Sequence, residues 1–270
     1  DIGSEGEVVM VDVVNGTVTS VPQPDFAYDE TAFTTSFSVA TTNPEFTGGS
    51  DVLISSTTSG VTGAPDFASN ADDDTLAVTE LLGATGLGGQ DASVRAGLGD
   101  GGDGDVTLAI NLDFDGIGTR ELTLRASDDV IVNKNITDTV GSDDVLNLVL
   151  IADNETQQGG LPGTTGLVDI NATVDTNAGA ITATGQNFDN TAGSVTNTSI
   201  VSINVSEIAT LGGVLNTPML DLDADDTTIN GGTTTVDDAS IDGGTFSHTG
   251  GTVNVANTVT LTQSTSAAFA

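Results

Sequence analysis

Short apolar strands separated by glycine, aspartate or asparagine corners recur along most of this 270-residue chain. The segment DVTLAINLDFD, residues 105–115, alternates strictly between apolar and polar side chains, which is typical of a strand with one buried face. From Thr227 onward the pattern tightens into units of about six residues, each with one or two apolar side chains and a small polar corner. The apolar positions of these units are Ile229, Val236, Ile241, Phe246, Val253, Val255, Val259 and Leu261.

Strands this short, joined by abrupt corners, favour a chain that winds as a coil whose flat sides are parallel sheets. Three sides of about six or seven residues make a coil of roughly 20 residues, which lies within the range of solenoid repeats. Valine, isoleucine and threonine suit the pleated surface, and glycine and asparagine allow sharp corners. We therefore predict an all-β fold, a parallel β-helix (β-solenoid), with about eight coils between residues 103 and 262. The alternative is an antiparallel sandwich, which usually has longer strands and more hairpin dipeptides.

Residues 1–74 lie outside the repeat and are predicted to form a separate β-rich segment, a cap or assembly strand, ahead of a β-helix over residues 75–270. The stretch EVVMVDVVNGTVTSV, residues 7–21, places two β-rich runs around Asn15-Gly16, the residue pair most typical of a two-residue hairpin turn. One short helix is predicted within residues 73–86, where several leucines have partial helical spacing.

The charge balance restricts the partners of the chain. Its 39 acidic and four basic residues give a formal net charge of −35. Such a chain repels nucleic acid, anionic lipid and polyanionic sugars, and it attracts cations, divalent ones most. The absence of cysteine excludes disulfides and thiolate metal sites. No apolar run approaches the roughly 18 residues that a membrane span needs, so membrane insertion is not expected.

A family resemblance rests on RELTLRASDDVIVNKNI (120–136), DDVLNLVLIADNE (143–155), GLVDINATVDTNAGAITATGQNFDNTAG (166–193) and the upstream DASVRAGLGDGGDGDVTLAINLD (91–113). Together these runs resemble the filamentous-haemagglutinin-like repeats of large bacterial exoproteins, including those of two-partner secretion. The resemblance covers about residues 75–195. It implies a right-handed parallel β-helix, export to the cell surface or medium, and a role in adhesion, aggregation or matrix. Only TNPEF, residues 42–46, is similar to the asparagine-rich motifs of the transport domain in that family, so the resemblance implies a passenger or structural segment.

Two acidic stretches are candidate calcium sites, because carboxylate oxygens are the ligands that this ion prefers. Asp100, Asp103 and Asp105 lie in a glycine-rich loop, and Asp221, Asp223 and Asp225 lie in DLDADD. The loop nearly fits the calcium-binding nonapeptide of β-rolls, but Val106 stands where that pattern has aspartate and no tandem copy follows. Solvated corners without any ion are the competing interpretation, and no other cofactor is expected.

The sequence argues against an enzyme. A polysaccharide lyase would need several cations to hold its anionic substrate, and this chain has only Arg95, Arg120, Arg125 and Lys134. The pair of carboxylates that a glycosidase needs cannot be recognised among so many acids. The single histidine, His248, is expected to face solvent.

We therefore predict an extracellular, non-catalytic structural protein that assembles with itself into a filament, matrix or surface layer by solenoid stacking or strand exchange. The hairpin is the candidate donor strand, through Val8, Val9, Val11, Val13 and Val18. The alternative is an adhesin stalk or passenger segment that binds a glycan or host surface. A polysaccharide-degrading β-helix enzyme is a distant third.

Overall fold

The structure is a computed structural model that describes residues 10–14, 17–21, 37–38, 51–69, 73–97, 104–141, 143–152 and 166–269. The chain divides into two compact units, residues 1–44 and 45–270. The first contains an antiparallel sheet of strands β1 (Met10–Val14), β2 (Thr17–Val21) and β3 (Phe37–Ser38), in that order. Val14 pairs with Thr17, so two residues connect β1 and β2, as expected for a hairpin at Asn15-Gly16.

The second unit is a parallel β-solenoid of about nine stacked coils with one short helix, which confirms the predicted fold. Its strands stack on three sides. The first side consists of β5 (Asp66–Ala68), β7 (Ala92–Arg95), β10 (Thr119–Arg125), β13 (Val145–Ile151) and the starts of β16 (Ile181–Asp189) and β18 (Ile200–Leu211). The second consists of β6 (Asp74–Ala77), β4 (Val52–Ser55), β8 (Val106–Leu108), β11 (Val130–Val132), β14 (Leu167–Ile170) and the ends of β16 and β18. The third consists of β9 (Leu112–Asp113), β12 (Ile136–Thr137), β15 (Thr173–Asp175), β17 (Ser194–Thr196) and the start of β19 (Val214–Phe269).

The core is the continuous column of inward side chains that the alternation predicts. Val106, Leu108, Leu112 and Phe114 are all fully buried. Ile110 is only partly buried, because the chain turns a corner between β8 and β9 at that point. Burial of apolar area contributes about 25 cal/mol per Å², so this column is the main source of stability in the solenoid.

Glycines stack on one another at one corner of the later coils. A Cβ at Gly213 would lie 2.1 Å from the carbonyl oxygen of Gly193, and one at Gly232 would lie 1.8 Å from the carbonyl oxygen of Gly213. Only glycine allows this approach between backbones. The Gly-Gly pairs at residues 212–213, 231–232 and 250–251 therefore mark a regular repeat of 19 residues.

Asparagine and aspartate side chains join successive coils at other corners. Asn111 Oδ1 accepts a hydrogen bond from the backbone N–H of Asn135, and Asn135 Oδ1 accepts one from the N–H of Thr173, each at 3.2 Å. Asn190, which is fully buried, accepts one from the N–H of Gly212 at 3.1 Å. These bonds satisfy backbone donors that the ladders leave unpaired where the chain turns.

The start of the solenoid differs from the predicted boundary after residue 74. Strand β4 pairs with β8 and β5 pairs with β7, so residues 52–68 already belong to the solenoid. Helix α1 (Val78–Leu81) and the turn after it bury Leu81 and Leu87 completely. Both side chains belong to the same hydrophobic core as the strands of the solenoid.

Candidate functional site

The first predicted calcium site is only partly within the described structure. Asp105 precedes β8, on the second side of the solenoid, whereas Asp100 and Asp103 lie outside the described residues. What the structure adds is a partner segment from the next coil, because β8 pairs in register with β11 and Val106 lies opposite Val130. This pairing brings Asp105 to the corner that carries Asp128 and Asp129.

Asp105, Asp128 and Asp129 form what we call the carboxylate corner. Each offers one oxygen, and these oxygens all lie within 4.8 Å of one another. The backbone holds the group in place, since Asp105 Oδ1 accepts a hydrogen bond from the N–H of Asp129 at 3.0 Å. Asp129 Oδ1 in turn accepts one from the N–H of Leu167 at 2.7 Å. The residues of the carboxylate corner lie on two coils, and these two hydrogen bonds connect the coils of β8, β11 and β14.

The electrostatics of this corner are unfavourable for three ionised carboxylates. Partial burial is the main cause that raises the pKa of Asp129 to about 6. The hydrogen bond from the Leu167 N–H opposes this rise, and the neighbouring Asp128, Asp105 and Asp169 add to it. Burial and Asp189 also raise the pKa of Asp169, while its hydrogen bond from Asn171 lowers it. A bound cation would offset both the cost of burying these charges and the smaller repulsion between the carboxylates.

A second cluster of three acidic side chains contains a carboxylate that stabilises a turn. Asp115, Asp138 and Asp144 also offer oxygens within 4.8 Å of one another. Asp144 is buried, and its carboxylate accepts hydrogen bonds from the N–H groups of Gly116, at 2.6 Å, and Gly118. It therefore fixes the turn between β9 and β10.

The structure does not bring the second predicted calcium set together. Asp221, Asp223 and Asp225 are exposed and alternate with buried Leu222 and Ala224 along β19. Side chains two residues apart on one face of a strand are about 7 Å apart, so they diverge into solvent instead of converging on an ion.

All four basic residues of the chain lie in its described part. The Arg120 guanidinium donates hydrogen bonds to the carbonyl oxygens of Leu87, Thr119 and Gly89 at 3.1, 2.8 and 3.3 Å. Arg95 and Arg125 lie opposite each other in the register of β7 and β10, and Lys134 is exposed. The expectation that His248 faces solvent is wrong, because its Nε2 is buried without a hydrogen-bond partner in the described structure.

The other candidate site is the final coil, which we call the open edge, residues 251–269. Within the described residues no strand pairs with its outer side, although earlier coils contact its inner side, for example through Asn257 and Asp238. Val259 is 44% exposed and Val253 is 37% exposed there, and Val214 of an earlier coil is exposed to a similar degree, at 42%. After Asp242 the chain carries no charged side chain other than the titratable His248.

The predicted donor strand lies in the first unit. Val11 and Val13 belong to β1 and Val18 to β2, whereas Val8 and Val9 lie outside the described residues. Strand β1 is one of the two edge strands of its sheet, since the order is β1-β2-β3.

Comparisons with family models, with curated proteins and with solved structures find no match to this chain. The resemblance to filamentous-haemagglutinin-like repeats thus stays a prediction from the sequence. None of the helices in the described part of the chain has the length and apolar character to cross a membrane.

Proposed function

We propose that this protein is an extracellular, non-catalytic structural protein that assembles with copies of itself through the open edge. The observation that carries the proposal is the contrast between the two ends of the solenoid. Leu81 and Leu87 are completely buried next to the first strands of the solenoid, whereas no described strand pairs with the outer side of the open edge and two of its valines are exposed. Such an edge is a ready template for another strand.

The distribution of charge favours this end for contact between copies. The chain as a whole carries −35, so two copies repel each other across most of their surfaces. Residues 243–270 have no acidic or basic side chain except His248, so repulsion is weakest there. Salt lowers the remaining barrier, because the Debye length is about 10 Å at 0.1 M and shorter at higher ionic strength.

The hairpin of a second copy is the partner that we propose for the open edge. Strand β1 has a free side within the described sheet, and an extended strand can be added to a sheet edge through main-chain hydrogen bonds. Residues 13–24 are uncharged, like the open edge itself. Because donor and acceptor are different surfaces, the contact is heterologous, and repeating it produces a filament.

The test compares two single substitutions of matched exposure. Val259→Asp places a charge on the open edge, where the valine is 44% exposed, and Val214→Asp places the same charge on the lateral surface, where the valine is 42% exposed. Light scattering and electron microscopy of the 270-residue chain in salt should show assemblies for the wild type and for Val214→Asp, and single particles for Val259→Asp. The proposal is contradicted if the wild-type chain stays monomeric over the whole salt range. It is also contradicted if both variants lose assembly to the same extent.

An adhesin stalk is the alternative function, and the same experiment addresses it. A solenoid that stays monomeric under all conditions holds its ends apart without polymerising. A glycan-binding screen on that monomer would then decide between a stalk with its own ligand and a passive spacer.

A further inference from the structure

The carboxylate corner contains a second polar feature besides its three acids. Ser127, the residue before Asp128, is only 1% exposed, and its hydroxyl has no hydrogen-bond partner in the described structure. Buried hydroxyl groups without a partner are rare, because leaving one unsatisfied costs about 1–3 kcal/mol. The Ser127 oxygen is therefore available as an oxygen ligand.

The position of this hydroxyl places it at the junction of the two segments that carry the acids. A Cβ built on Gly104, the residue before Asp105, would lie 1.9 Å from Ser127 Oγ, so the hydroxyl lies against the Gly104 backbone. The N–H groups of Ser127 and Asp128 both donate to the Gly104 carbonyl oxygen, at 3.0 and 3.2 Å. The Ser127 oxygen thus lies beside the backbone where the segment of Asp105 and the segment of Asp128 and Asp129 are hydrogen-bonded to each other.

We propose that the carboxylate corner binds one divalent cation of the calcium type, with Asp105, Asp128 and Asp129 as carboxylate ligands and Ser127 as a fourth oxygen ligand. Calcium accepts six to eight oxygen ligands in flexible geometry, so the remaining positions would be filled by water or backbone carbonyl oxygens. Magnesium needs near-ideal octahedral geometry and gives up water reluctantly, so it should bind more weakly here.

The consequence for the solenoid is a link between coils. Asp105 belongs to the coil of β8, and Asp128 and Asp129 belong to the coil of β11. A cation held by both would replace repulsion between these coils with attraction. This inference is independent of assembly at the open edge, since the two sites share no residue.

The experiment is a calcium titration by isothermal calorimetry of the 270-residue chain, with sodium chloride at about 150 mM to screen diffuse counterions. The variants are Asp128→Asn and Asp129→Asn, each of which removes a charge, and asparagine at 129 still offers an oxygen to the Leu167 N–H. Asp221→Asn is the control, because it removes the same charge from an exposed outward position. Ser127→Ala tests the hydroxyl.

We expect one saturable site in the wild type, weakened about tenfold or more by either change in the corner and only slightly by the control. Ser127→Ala should weaken binding by a smaller factor without changing the stoichiometry. The proposal is overturned if the wild type shows no saturable site. It is also overturned if the two corner variants and the Asp221→Asn control weaken binding equally, since diffuse accumulation of counterions would then explain the signal.

Discussion

Asp129→Asn should make the solenoid more stable at neutral pH, although it removes a residue that makes a cross-coil hydrogen bond. The Asp129 carboxylate accepts the Leu167 N–H at 2.7 Å, and the amide oxygen of asparagine can accept the same bond. What changes is the charge. Burial, followed by Asp128, Asp105 and Asp169, raises the pKa of Asp129 from its ordinary value of 3.8 to about 6.

The sign and size of the effect follow from proton linkage. A group with a raised pKa in the folded state binds its proton more tightly there than in the unfolded chain. The stability that this binding contributes is fully present below about pH 3.8 and is lost as the pH rises through about 6. The full shift corresponds to about 3 kcal/mol. Solvent reduces it at this half-exposed carboxylate, so we expect about 1 kcal/mol.

Thermal unfolding followed by circular dichroism, with chelator present, measures this difference. At about pH 7.5 the variant should melt about 3 °C above the wild type, as expected for 1 kcal/mol in a unit of this size. The gain should shrink as the pH falls from 6 and disappear near pH 4. Asp221→Asn, at an exposed position, controls for the change in net charge. A variant that is less stable than the wild type at neutral pH, or a gain that does not depend on pH, would refute the reasoning.

Three further changes test the packing of the solenoid by denaturant unfolding. Phe114→Ala, at a fully buried position, should cost about 4 kcal/mol through the cavity that it leaves, and a cost under about 1 kcal/mol would contradict the packed core. Asn190→Ala should cost about 2 kcal/mol, because it leaves a backbone N–H of the next coil without its acceptor. Gly232→Ala should cost more than Gly116→Ala. Both have positive φ, at 58° and 81°, but only the first would drive a Cβ to 1.8 Å from the Gly213 carbonyl oxygen. Equal costs would show that backbone strain alone matters.

The fold could be predicted because the side chains that face the core of the solenoid are apolar and alternate with polar ones along the sequence. Alternation at Val106, Leu108, Leu112 and Phe114 marks four side chains that are fully buried. Ile110 continues the alternation in the sequence but is only partly buried in the structure. The chain turns a corner at this residue, and alternation alone cannot show where a corner lies. The N-terminal start of the solenoid cannot be recognised in the sequence for a related reason. Strands β4 and β5 belong to the solenoid, yet they precede the recognisable repeat.

The carboxylate corner could not be predicted, because its members come from different coils and the coils differ in length. On the first side Leu122 pairs with Leu148, Leu148 with Ile181, Ile181 with Val201 and Val201 with Leu220, spacings of 26, 33, 20 and 19 residues. A fixed period would place Asp105 beside the wrong segment. Only the register of β8 against β11 shows that Asp105 meets Asp128 and Asp129.

Some corners of the solenoid use asparagine and others use aspartate to accept a backbone N–H, and the comparison shows whether that hydrogen bond needs a charged acceptor. Asn111 and Asn135 accept a backbone N–H from the next coil, and Asp105 and Asp129 do the same. The hydrogen bond therefore does not distinguish asparagine from aspartate at these positions, whereas repulsion between neighbouring carboxylates favours asparagine. Aspartate at the carboxylate corner thus adds a charge that the backbone does not require. A bound cation would make this charge stabilising, whereas without a cation the charge is destabilising. Removal of the charge should therefore increase the stability of the solenoid with chelator and decrease it with calcium.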